Sequence, residues 1–218
     1  MLNRLLIAVL ALCFVAFGAH AQQGKPPQEG IEFLTLNPPQ PTDSGGKIEV
    51  TEFFWYRCPH CFSLEPVLEP WVKKLPRDAQ FKRVPAIFND EWALDGRIFY
   101  TLEAIGEVER VHGKLFDAIH NGGGVRLKGE AYVKWIAEWL RKNGVDMAKY
   151  DAAYRSFSVD TKLKRAAQMT QAYKIDGVPA IAVQGRWVAT ATMSGERNAM
   201  LRVSDFLIGE ARKRSTKK

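Results

Sequence analysis

The stretch Glu52-Phe53-Phe54-Trp55-Tyr56-Arg57-Cys58-Pro59-His60-Cys61 decides how the 218-residue chain is read. An apolar, aromatic-rich strand runs straight into two cysteines separated by proline and histidine. Pro59, with its fixed φ and missing N–H, suits the first turn of a helix, which places Cys58 at that helix's N-terminus. There the free backbone N–H groups and the positive end of the helix dipole favour an anionic sulfur, so Cys58 is the expected nucleophile. Cys61, one turn on, points inward and closes the ring. A stabilised thiolate leaves readily, which makes the Cys58–Cys61 disulfide reactive and oxidising. His60 strengthens this by donating to the Cys58 sulfur or sitting charged beside it. Two inert readings compete. A zinc site needs about four ligands, and beyond the N-terminal segment only His60, His112 and His120 join the two cysteines. A structural staple closing so short a loop stabilises little. Haem attachment would need a histidine after the second cysteine, where Phe62 stands. No metal is expected.

The chain opens with Arg4, an apolar run from Leu5 to Phe17, and Ala19-His20-Ala21 as a small-x-small cleavage site. Residues 1–21 therefore read as a secretory signal peptide, too short for a membrane span, with Cys13 a filler removed by cleavage. Export places the two remaining cysteines where disulfides persist, in a bacterium the periplasm. The net charge of +7 argues for solubility. Nucleic-acid binding would need clustered charge with interleaved aromatics, and the one dense basic run, Arg212 to Lys218, is a chain end.

Residues 22–46, rich in Pro, Gln and Gly, are expected to be an extended or flexible lead-in with an edge strand at Ile31 to Leu36. Ile48 to Tyr56 is a buried central strand on which Ile48, Val50, Glu52, Phe54 and Tyr56 share one face. A carboxylate in that set is the exception. Buried without a partner, Glu52 would have its pKa raised and could take or give the Cys61 proton; the competing reading is a partly exposed glutamate at an irregular strand end. The redox helix should continue past Cys61, kinked or broken by Pro66 and Pro70. Glu65 on it either tunes the thiolate unfavourably or is a solvated surface charge. Phe81 to Ile87 is the next strand, short or irregular at Pro85, where Lys82 and Arg83 alternate faces and one of them could pair with a nearby acid.

From Asp90 to Phe157 strand alternation disappears. Ile98, Leu102, Ile105, Val108, Val111, Leu115 and Ile119 recur at threes and fours, as two helices joined near Gly106. Asn121-Gly122-Gly123-Gly124 ends the pair. Val133, Ile136 and Leu140 form another helix, stopped at Asn143-Gly144, and Met147, Tyr150, Tyr154 and Phe157 a short one. His112 and His120 have no other ligand close in sequence and read as core or surface residues. A helix over Asp160 to Tyr173 then leads to Gly177-Val178-Pro179-Ala180, a hairpin turning at Gln184-Gly185, and a last helix over Glu196 to Ala211.

Strand, redox helix, strand, helical block, long helix, Gly-Val-Pro, hairpin and final helix is an order that resembles the DsbA-type thiol:disulfide oxidoreductases. It covers essentially the whole chain after residue 21. The resemblance implies an α/β, thioredoxin-like fold with an all-helical domain inserted: residues 47–89 and 158–214 forming the thioredoxin-like part and 90–157 the insertion. It carries the family's Cys-Pro-His-Cys onto Cys58, Pro59, His60 and Cys61, its buried glutamate six residues earlier onto Glu52, and its cis-proline onto Pro179. Val178 would pair its backbone with a substrate strand. A very acidic nucleophile and a strong oxidant are that family's reference properties, here implied by likeness. So are the absence of a cofactor beyond the disulfide, substrates that are newly exported unfolded proteins with free cysteines, and reoxidation by a DsbB-type quinone-linked membrane partner. A periplasmic reductase or isomerase of the same fold, and a thiol-based copper carrier, are the alternatives. Isomerases of this kind usually carry an added dimerisation domain, for which the Pro-rich lead-in is too short, and that counts against the isomerase alternative; a monomer is expected.

Overall fold

The computed structural model describes residues 25–195 and 197–215. The expected signal peptide and cleavage site, Cys13 and the last lysines lie outside the described residues. β1 (Leu34–Thr35), β2 (Ile48–Phe54), β3 (Ala79–Pro85), β4 (Ala180–Val183) and β5 (Trp187–Thr190) form one mixed sheet in the order β1-β5-β4-β2-β3. All seven residues of β2 are buried, as a β-branched and aromatic strand in the middle of a sheet covered on both faces should be. It runs parallel to β3, with Glu52 opposite Arg83, and antiparallel to β4, with Glu52 opposite Ile181. The β4–β5 hairpin turns at Gln184 and Gly185, both at positive φ (53° and 58°), the pairing a two-residue turn requires.

The lead-in is docked. β1 pairs antiparallel with β5, Gln40 N–H donates to the Gly185 carbonyl at 2.7 Å, and a Cβ on Gly185 would lie 2.1 Å from the Gln40 carbonyl oxygen. Only glycine admits that approach.

The redox helix α1 (Pro59–Lys73) passes through Pro66 and Pro70 as one helix, so of the expected kink or break the break does not occur. Both prolines are exposed and four residues apart, so they share a solvent-facing stripe where the carbonyls they leave without a donor can be hydrated. Between β3 and β4 the chain is helical: α2 (Asp90–Ala104), α3 (Val108–Asn121), α4 (Gly129–Lys142), α5 (Met147–Tyr154) and α6 (Phe157–Ala172). Gly106, at φ +74°, makes the α2–α3 turn. Phe157 does not belong to the short helix with Met147, Tyr150 and Tyr154. Ser156 caps a new helix by accepting from Val159 N–H, and Phe157 stands 82% exposed in its first turn. A short helix α7 (Ala191–Ser194) and α8 (Arg197–Ser215) close the chain.

Two apolar clusters flank the sheet. One joins Ile48 and Val50 of β2 to Leu64 and Leu68 of α1, Ile181 and Val183, and Leu207 of α8. The other runs from Phe53 and Phe54 through Leu102, Leu115, Phe116, Ile136 and Tyr150, so the helices after β3 share a core with the strand that delivers the cysteines. This is a thioredoxin-like α/β fold.

Candidate active site

β2 ends at Phe54, and a turn closed by the Cys58 N–H donating to the Trp55 carbonyl (3.0 Å) leads into α1. Cys58 is the N-cap in extended conformation, and Pro59 occupies the first helical position, as its ring demands. The two cysteines are free thiols, unbonded to each other. Cys58 is 6% exposed and Cys61 0%, while Pro59 and His60 are exposed. Cys58 Sγ accepts from Cys61 N–H at 3.4 Å and faces the Val178 carbonyl at 3.4 Å. The Val178–Pro179 bond is cis. The structure thus brings Cys58, Pro59, His60, Cys61 and Val178-Pro179 together.

The two sulfurs sit in opposite environments. Cys58 is lowered to about 6 by the Cys61 thiol beside it, against an opposing push from burial, with further help from the Cys61 and His60 amides and the His60 charge. Cys61 is pushed well above an ordinary thiol, first by burial and then by Cys58 and Glu52.

Glu52 is completely buried, which excludes the partly exposed reading. It is not without a partner, however. Arg83 Nε lies 3.2 Å from its Oε2, off the line of a hydrogen bond. Burial and the neighbouring Glu65 outweigh Arg83, and the Glu52 carboxyl is raised to about 8. Glu65 is no surface charge. It is buried, 3.4 Å from Arg83 Nη2 and 3.5 Å from His112 Nε2. Burial pushes it up, but His112 and Arg83 prevail and hold it below the ordinary carboxylate range. Lys82 serves elsewhere, on Glu49 (2.8 Å) and Asp43. The alternation of Lys82 and Arg83 thus sends one cation to each of two acidic groups.

His112 is a core residue, buried, with Nδ1 2.9 Å from the Tyr56 hydroxyl. His120 Nε2 lies 2.9 Å from the Tyr56 carbonyl, its ring stacked on Phe62 at 4.6 Å. Among the described residues no group of three or more His, Cys, Asp or Glu side chains is arranged to hold a metal ion, and no helix is long and apolar enough to cross a membrane. A groove of about 800 Å³ opens beside Val178 and Pro179, bounded by His60, Leu36, Tyr173, Ile175 and Met193. The sequence reading does not single out Arg57 and Asp95, which meet at 2.9 Å behind the Cys58 turn. The available signal is an arginine inside an otherwise apolar run.

A profile of the DSBA-like thioredoxin domain matches residues 71–201, a span that begins after the two cysteines. The matches to curated relatives extend over nearly the whole chain. The thiol:disulfide interchange protein DsbA of Bordetella parapertussis is 41% identical over 209 residues, covering 95% of this chain and 96% of that protein. The DsbA of Pseudomonas aeruginosa is 37% identical over 97% of this chain and 98% of its own length. The crystal structure of P. aeruginosa DsbA superposes with a TM-score of 0.81, covering 88% of this chain and 97% of the other. With sequence and fold in agreement, the chain belongs to the DsbA family of thiol:disulfide interchange proteins.

Proposed function

We propose that the protein is an exported protein-disulfide oxidase that gives its Cys58–Cys61 disulfide to newly translocated, unfolded polypeptides. The observation that carries this reading is the split between the two sulfurs: Cys58 at about 6 beside the α1 amides, Cys61 far above it in the interior. A substrate thiolate attacks Cys58 Sγ, forming a mixed disulfide and expelling Cys61, which takes up a proton. Glu52, raised to about 8 and therefore protonated at neutral pH, is the acid placed to supply it. A second substrate thiolate then attacks the substrate's own bridged sulfur and releases Cys58 as a thiolate. The substrate loses two electrons and two protons in forming its disulfide, and the Cys58–Cys61 pair gains the two electrons. Val178, whose carbonyl faces Cys58 Sγ, offers its backbone to an extended substrate segment.

The redox pair takes the place of a cofactor. Residues 90–157 act as a helical domain set into a thioredoxin-like domain of residues 47–89 and 158–214. Residues 1–21 are cleaved after Ala21, the monomeric protein works in the periplasm, and a DsbB-type quinone-linked membrane protein restores the disulfide.

The test is single-turnover oxidation of a reduced, unfolded two-cysteine protein, with the reduction potential measured in glutathione buffers. Rapid stoichiometric oxidation and a potential near about −120 mV, the reference value of this family's own DsbA, support the reading. A potential near about −270 mV, thioredoxin's value, would make the protein a reductase. Tight one-to-one Cu(I) binding by the reduced form with no oxidase activity would make it a copper carrier.

A further inference from the structure

The turn that carries Cys58 is fastened from behind by a carboxylate that no step of the exchange uses. Asp95, on α2 and 1% exposed, accepts three hydrogen bonds: from Trp55 Nε1 at 2.6 Å, Arg57 Nε at 2.9 Å and the Tyr132 hydroxyl at 2.6 Å. Arg57 is itself buried, donates to the Glu91 carbonyl oxygen at 3.1 Å and pairs with the Glu91 carboxylate at 3.5 Å. Its guanidinium lies 4.7 Å from the centre of the Tyr132 ring and 5.2 Å from that of Trp55. Trp55 and Arg57 are the first and third residues of the four-residue turn that Cys58 closes. One buried carboxylate therefore holds both, and Tyr132 of α4 completes its coordination.

We propose that Asp95 is a positioning residue for the exchange: by pinning Trp55 and Arg57 to α2 and α4 it fixes the turn, and with it the place of Cys58 Sγ against the amides that stabilise the thiolate. The 3.4 Å contact between Cys58 Sγ and Cys61 N–H depends on direction as well as distance, so it is kept only while the turn holds the sulfur over the amide. Net fold stability is a poor explanation of the cluster, because a buried ion pair generally adds little over an apolar replacement of the same shape. What such a pair adds is geometry: the planar guanidinium and the carboxylate admit few arrangements. The helices after β3 thereby reach the nucleophile through the residue next to it.

The inference rests on Cys58 being the attacked sulfur. Its test is the ultraviolet titration of the Cys58 thiolate and the glutathione reduction potential in Asp95→Asn, Arg57→Met and Tyr132→Phe, with Tm recorded for each. All three are expected to raise the Cys58 pKa and lower the potential, Asp95→Asn by about half a pH unit or more, a threefold loss of thiol acidity, and Tyr132→Phe by less. Tyr132→Phe keeps the ion pair and decides the matter if Asp95→Asn does not fold. Opposite shifts in Asp95→Asn and Arg57→Met would mean that the pair acts through charge and would overturn positioning. A lowered Tm with an unmoved Cys58 pKa would overturn it too, leaving a purely structural cluster. A wild-type Cys58 titrating near 9 would count against the site reading first, and the clamp would fall with it.

Discussion

Titrating the reduction potential against pH tests the Cys58 environment without altering a residue. Reducing the disulfide takes up two electrons, together with two protons where both thiols stay protonated and one where Cys58 remains a thiolate. Cys61 lies far above the ordinary thiol and takes a proton throughout. With Cys58 at about 6, the potential should fall by about 59 mV per pH unit below pH 6 and by about 30 mV per unit above it. Lowering Cys58 from the ordinary 9.0 to about 6 raises the potential by about 30 mV at pH 7, rising toward about 90 mV above pH 9.

The same shift appears as stability of the reduced form. The folded pKa lies below the unfolded one, so the stabilisation is complete above pH 9 and is lost as pH falls through about 6. At pH 7 it is on the order of 1 kcal/mol. The assay is equilibration with glutathione, read by fluorescence at half-unit pH steps from about 4.5 to 7.5, a window below the Glu52 titration at about 8. A single straight line of about 59 mV per unit across it would make Cys58 an ordinary buried thiol with no stabilised thiolate.

Glu52→Gln should abolish a pH-dependent loss of stability. A carboxyl raised from 4.5 to about 8 favours the folded state below pH 4.5 and loses that advantage as pH rises through 8, about 3 kcal/mol by pH 7. Denaturant titrations of the reduced wild type and variant at pH 5 and 8 should diverge by that order, and parallel curves would exclude it. The same variant should slow mixed-disulfide formation and leave its resolution unchanged in stopped-flow traces; equal slowing of both steps would remove Glu52 from the role of acid. Cys61→Ala loaded at Cys58 as a mixed disulfide with glutathione should exchange the glutathione for a reduced single-cysteine substrate and hold it bridged to Cys58, and a peptide map finding no such adduct would sink the assignment of nucleophile. Gly185→Ala, at φ +58° and 2.1 Å from the Gln40 carbonyl, should cost about 2 kcal/mol or more and expose the lead-in to protease; an unchanged Tm would show that β1 is not anchored there. Phe116→Ala, from a ring packed on Phe54, Tyr56 and His112, should cost about 3–5 kcal/mol by denaturant titration.

What could be read from the chain follows the range of the interactions. The Pro59 helix start, the Gly106 turn and the Gln184-Gly185 hairpin are local, each imposed by a residue's own backbone preferences, and they stand where the spacing puts them. Phe157 is also local and yet misplaced, because its helical spacing fits the helix before it as well as the one that Ser156 caps. The exposed Pro66 and Pro70 look like breakers only while the solvent side of the helix is unknown. Long-range partners are harder. Nothing in the spacing distinguishes Arg83 from Lys82 as the partner of Glu52, since that depends on the parallel register of β2 against β3. Asp95, 38 residues from Arg57 in sequence, reads as one more polar residue on an amphipathic helix until the fold brings it to the turn.

The buried charges around the dithiol make sense once the two steps of exchange are compared. In the first, the leaving sulfur is Cys61, raised by the apolar interior and a poor leaving group unless a proton arrives as it departs. In the second, the leaving sulfur is Cys58, already stabilised by the helix amides and needing no acid. An isolated pair of cysteines at this spacing has neither property. Burying Glu52 beside Arg83, with Glu65 and His112 behind it, keeps a carboxylic acid protonated at neutral pH without the cost of an unpaired interior charge. Were Arg83 missing, Glu52 would titrate still higher and release its proton less readily; were Glu65 missing, burial would still push Glu52 up, but with less margin over Arg83. Glu52 is pushed up first by burial and then by Glu65, with Arg83 pulling the other way, and that balance is held by three elements, β2, β3 and α1, that the fold must bring together around the strand leading to the cysteines.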